Sequence, residues 1–149
     1  MLTSCNLPSM FPQVEIDIDG TGYRLTLLPS KLGRPMLLRL SQLLSQGSDR
    51  AAMLGSDSAM LTGAVLALTE AELQSTWEKF ETRTEVMASE GYVSLNVVYE
   101  PAKGGLTDYG LMLALIEAHI DANFSSFFAK ARQMMAASRA KASSAFPTK

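Results

Sequence analysis

Apolar residues recur at helical intervals through the C-terminal third of the chain, and this pattern limits the fold more than any other feature. Leu113, Ile116, Ile120, Phe124, Phe127, Ala131 and Met134 step by three and four. That spacing keeps them on one side of a helix, as in a heptad seam. Phe128 and Met135 widen the stripe, and Leu111, Leu115, Ala118 and Ala122 form a second apolar face over the first half. A helix apolar on two sides is packed from two directions, so the pattern predicts a central helix that starts at a Thr107 or Asp108 cap. Residues 137–149, rich in Ala and Ser and basic, read as a tail in which the helix frays.

A second periodicity marks the other end. Val14, Ile16 and Ile18 alternate with Glu15, Asp17 and Asp19, and Tyr23, Leu25 and Leu27 alternate with Arg24 and Thr26. Period two with one polar face is the signature of a half-buried antiparallel strand. With Gly20-Thr21-Gly22 read as the turn, the two runs predict a β-hairpin, the acids of the first strand facing Arg24 on the wet side. Residues 1–12 before it read as a flexible arm.

The middle is helical with breaks. Met36, Leu37, Leu40, Leu43 and Leu44 follow a candidate Ser30 cap, but Pro35 would then fall in the second turn and remove a donor. A start nearer Gly33 avoids this. Residues 46–58 read as a loop, and 58–68 as an apolar helical stretch. Thr69 and Glu72 have the spacing of a capping box. Leu73, Trp77, Phe80 and Val86 then predict an amphipathic helix ending near Ser89 or Gly91. Tyr92, Val93, Leu95, Val97, Val98 and Tyr99 favour β structure, either a third strand or an extended connector. The predicted fold is α+β and mainly α-helical: an N-terminal hairpin, with a third strand left open, packed on three to four helices. One domain spans 13–136.

Composition restricts the function. At 47% hydrophobic and 19% charged residues the chain is suited to burying a core. Cys5 is the only cysteine, which excludes an internal disulfide and a thiolate cluster. The arm lacks the basic and apolar regions of a secretory signal, and the apolar run 59–68 is about half the ~20 residues of a membrane span. An unexported protein with no membrane partner is expected. His119 is the only histidine. Glu117 and Asp121 lie two positions either side of it, on other faces of the helix, so the three do not converge on a metal ion. Lys103-Gly104-Gly105 and Gly20-Thr21-Gly22 lack the context of a phosphate loop. No nucleophile, cofactor or metal motif occurs, and the expectation is a protein that is not an enzyme. Acids dominate from Asp57 to Asp121; beyond it stand only Lys130, Arg132, Arg139, Lys141 and Lys149. These cations complement the negative end of a helix dipole, and are too diluted by Ala and Ser for a nucleic-acid surface.

What remains is the late part of the stripe. Asn123 falls where a pure core would place an apolar residue. Phe124, Phe127, Phe128, Met134 and Met135 follow where little chain is left to cover them. Asn123, Phe124, Phe127, Phe128, Met134 and Met135 are therefore the candidate partner-binding residues, while residues 111–122 belong to the core.

The order of the phrases "YRLTLLPSKLGRPMLLRLSQLL", "GYVSL" and "LMLALIEAHIDANFSSFFAKA" resembles the tail assembly chaperones of tailed bacteriophages. There a strand ending in a Y-R-L-x-x-L-P phrase leads into a Leu-rich helix, and a late helix ends in an N-F-x-x-F-F phrase, matched by Asn123, Phe124, Phe127 and Phe128. Pro35 and the 59–68 run depart from it. The resemblance implies a non-catalytic protein of the host cytoplasm that binds the tape measure protein and assists tail-tube assembly, with the tail-tube protein as a further partner and a homo-oligomer left open. A structural tail or neck component of the virion is the alternative, and a small enzyme with an unrecognised pocket the third reading.

Overall fold

The structure is a computed structural model describing residues 12–46 and 57–145. The predicted arm at 1–12 lies outside this set except for Pro12, as does most of the predicted loop at 46–58. The fold is α+β. A four-stranded antiparallel sheet, rather than a hairpin with an optional third strand, is ordered β1 (Gln13–Ile18), β2 (Thr21–Thr26), β3 (Thr84–Ala88), β4 (Gly91–Ser94). Three helices separate or follow the first strands: α1 (Ser30–Gln46), α2 (Asp57–Leu66) and α3 (Glu70–Glu81). A single-turn helix α4 (Leu95–Val98) and a 3-10 turn (Pro101–Lys103) lead from β4 to the long α5 (Tyr109–Ala145).

The hairpin turns on Asp19 and Gly20, both with positive φ (51° and 85°). A two-residue turn of this kind matches the strand twist, and Asp-Gly favours it because both residues tolerate the left-handed region. The Asp17 carboxylate accepts from the Gly20 amide at 2.9 Å. Thr21 and Gly22, read from sequence as part of the turn, instead pair with Ile18 and Asp17. Register then sorts the faces. Ile16, Tyr23, Val86 and Val93 lie in one row across the four strands, and Glu15, Arg24, Glu85 and Ser94 in the next. The first row faces the core, where Tyr23 and Val86 are buried. In the second, Arg24 Nε meets Glu85 Oε1 at 2.8 Å, and its guanidinium lies 4.4 Å from the centre of the Tyr92 ring. The predicted contact of Arg24 with the acids of the first strand is thus present in register, but its ion pair is with β3.

The largest departure from the sequence reading is β3. The amphipathic helix predicted to reach Ser89 or Gly91 stops at Glu81, and Thr82 caps it with its amide on the Phe80 carbonyl. From there Thr84 and Val86 alternate with Glu85 and Met87, and the strand completes its hydrogen bonds on β2. Residues that fit helical spacing at one position are captured by pairing with a strand 61 residues earlier. The start of the helix follows local chemistry: Glu72 N donates to Thr69 Oγ1 at 3.2 Å and Thr69 N to Glu72 Oε1 at 2.9 Å, the reciprocal capping box. Helix α1 begins at Ser30 despite Pro35 inside it, rather than near Gly33. The β-favouring segment after Gly91 forms only a short strand, because the Ser94 hydroxyl caps α4 through the Asn96 amide.

Helix α5 runs about 55 Å at 1.5 Å per residue. Asp108 caps it, accepting from Leu111 N at 3.1 Å. It does not fray at 137; Ala, Arg and Lys are strong helix formers, and they carry it to Ala145. Leu115, Ile116, His119 and Ile120 are wholly buried against the rest of the domain, so the first half is core, as the two apolar faces predicted. Helices α2 and α3 pack on it, and the Thr62 hydroxyl of α2 donates to the Glu117 carboxylate.

Candidate functional site

The candidate partner residues divide along α5. Phe124 is only 6% exposed and belongs to the core cluster. Its ring lies so close to Gly33 that a Cβ there would sit 3.4 Å from Phe124 Cε1. It is a packing ring and is removed from the partner surface. Asn123 is also accounted for inside the chain. Its Oδ1 accepts from the Leu28 amide at 2.8 Å, and its Nδ2 donates to the His119 carbonyl at 2.7 Å. The amide breaks the apolar stripe because it ties the β2–α1 connection to α5. Replacing Asn123 by Leu should cost about 1–3 kcal/mol in urea denaturation, because the Leu28 amide then lacks its acceptor. An unchanged midpoint would show that this link is dispensable.

Phe128 is half-buried and packs on the core cluster. Its ring meets Phe127 edge-on, centroids 5.7 Å apart at 77°. Phe127 itself is 48% exposed and Met134 is 63% exposed. The side chain of Met135 lies outside the described residues. Phe127 and Met134 are seven positions apart, so they share a helix face, with Ala131 between them. No described residue beyond Phe128 belongs to the core cluster or packs against it. Among the described candidate residues, the exposed apolar side chains are therefore Phe127 and Met134, with Phe128 packed on the domain at the proximal end of this face.

His119 is a core residue. Its ring stacks on Phe80, centroids 4.3 Å apart at 9°. Thr84 Oγ1 donates to the Phe80 carbonyl at 2.7 Å, so toward His119 Nε2, also at 2.7 Å, it acts as acceptor. This assigns the proton to Nε2 and leaves Nδ1 bare and without a partner. Burial, reinforced by the Arg83 guanidinium, pulls the imidazole down to about 3. It is neutral throughout the ordinary pH range and wholly buried. Among the described residues no group of His, Cys, Asp and Glu is placed to hold a metal ion, and no helix is long and apolar enough to cross a membrane. Cys5 lies outside them.

One concavity was not legible in the sequence. A groove of about 310 Å³ between α1 and α3 has Met36, Leu40, Leu68 and Ile120 in its wall, with Arg39 and Glu72 also lining it. Arg39 grips Glu72 through both guanidinium and carboxylate forks, Nη2 to Oε1 at 3.1 Å. This ion pair and the Thr69 amide hold the Glu72 carboxyl down at about 2. The same carboxylate closes the capping box and clamps the two helices, a structural duty. Comparisons with family models, curated proteins and solved structures found no match to this chain.

Proposed function

We propose that the protein is a non-catalytic tail assembly chaperone of a bacteriophage, binding a helical stretch of the tape measure protein in the host cytoplasm while the tail tube forms. The observation that carries this reading is the exposure of Phe127 and Met134 on one face of α5, where the helix continues past the core. A helix with an apolar face left open recognises another helix by laying side chains into its grooves. Met and Phe adapt to a long client whose apolar pattern repeats with variation. The resemblance in the phrases around Tyr23–Leu28 and Asn123–Phe128 supports the same role.

Two measurements test it. Phe127→Asp with Met134→Asp should abolish co-purification with the co-expressed tape measure protein. The isolated domain should stay within about 0.5 kcal/mol of its original stability, since both side chains are exposed. Retained binding would sink the assignment of this face. Mass spectrometry of virions purified from the phage that encodes the chain should find it absent, and a stoichiometric amount would favour the structural tail or neck component instead.

A further inference from the structure

We propose that the distal half of α5 takes a partner helix whose apolar seam is flanked by acidic residues. This deepens the reading of that face as the working surface and rests on it. Positive charge surrounds an exposed apolar line on this part of the helix. Phe127 and Met134 are exposed, and Ala131 between them leaves a low point where a second helix can approach closely. Lys130 is exposed beside them. Residues 122–149 contain five cations and no acid, and four of the five, Lys130, Arg132, Arg139 and Lys141, fall within α5. Since the chain as a whole is −2, the preceding residues hold −7. The working half of the helix is thus a basic rod on an acidic domain.

That polarity selects among occupants. A second copy pairing through the same seam would set basic residues against basic residues, and like charges across an interface are costly. Nucleic acid would satisfy the cations but not the exposed Phe127 and Met134, which have no base stack or groove to enter along a phosphate backbone. An amphipathic helix with Glu or Asp beside its apolar seam satisfies both halves of the surface. The domain's own negative charge meanwhile repels such a partner everywhere else and steers it to α5.

The test uses the full chain and two synthetic helices of about four heptads, identical in their Leu seam, one flanked by Glu and the other by Lys. In fluorescence anisotropy at low salt, the Glu-flanked peptide should bind about tenfold or more tighter. Raising salt to about 0.5 M should shrink that preference. Lys130→Glu should abolish or reverse it, and Phe127→Ser with Met134→Ser should weaken both peptides while circular dichroism stays unchanged. Equal affinity for the two peptides would leave an apolar dock and overturn the acidic-flank inference alone. Binding of neither would overturn the partner surface itself. Tighter binding of a short DNA duplex than of the Glu-flanked peptide would reassign the cations to phosphate. Self-association that Lys130→Glu strengthens would reassign the seam to a second copy.

Discussion

Lowering the pH from 6.5 to 4.5 should cost the domain about 2–3 kcal/mol of stability, and His119 should be the main cause. The unfolded imidazole takes up a proton near 6.5, whereas the folded one resists until about 3. Between those values the unfolded state binds one proton more than the native state. Stability is therefore complete above about pH 6.5 and falls with a slope of about 1.4 kcal/mol per pH unit as the pH drops toward 3. The cause is geometric. The ring is wholly buried and stacked on Phe80, its Nε2 proton is engaged with Thr84, and Nδ1 has no acceptor to receive a second proton. Glu72 adds its own acid dependence mainly as the pH falls below its unfolded value of 4.5 toward about 2, so the histidine dominates the window from 6.5 to 4.5. Urea midpoints across that window should decline in the native protein and stay nearly level in His119→Leu. An equal decline in both would mean that another group carries the acid sensitivity.

The same residue shows why parts of the fold were legible in the sequence and parts were not. The capping box at Thr69 and Glu72 and the Asp108 cap depend on neighbours three positions away, and spacing alone reveals them. The β1–β2 hairpin was legible because Val14, Ile16 and Ile18 alternate cleanly with exposed polar residues. Strand β3 was not, because the segment around Val86 reads as the end of a helix until β2 supplies the partner. The Thr84–His119 bond spans 35 positions and the Asn123–Leu28 bond spans 95. No local pattern reports either. For the candidate site, periodicity correctly grouped Phe124, Phe127 and Phe128 on a helix but could not say which side the domain covers. Burial of Phe124 and the hydrogen bonds of Asn123 are consequences of where α1 and its lead-in pass, which only the assembled fold fixes.

Phe80→Ala should be among the most damaging single substitutions in the chain, costing about 3–5 kcal/mol. Phe80 is fully buried at the end of α3, where its ring covers His119 and its carbonyl receives the Thr84 hydroxyl. Truncation removes the transferred ring and leaves a cavity at the junction of α3, β3 and α5, three elements that cannot all close the gap without breaking the sheet register or the Thr84–His119 bond. The backbone carbonyl of residue 80 survives the substitution, so the loss measures packing rather than the hydrogen bond. A second consequence separates cavity formation from general loosening. Water entering the space would lower the desolvation of His119 and raise its pKa toward 6.5. The variant should therefore lose stability at neutral pH while its slope between pH 6.5 and 4.5 becomes shallower than that of the native protein. Phe80→Leu, which refills most of the volume, should recover much of the loss and keep the steeper slope. A Phe80→Ala variant that is weakened by less than about 1 kcal/mol, a change typical of exposed positions, would show that α3 is not clamped on α5 through this ring.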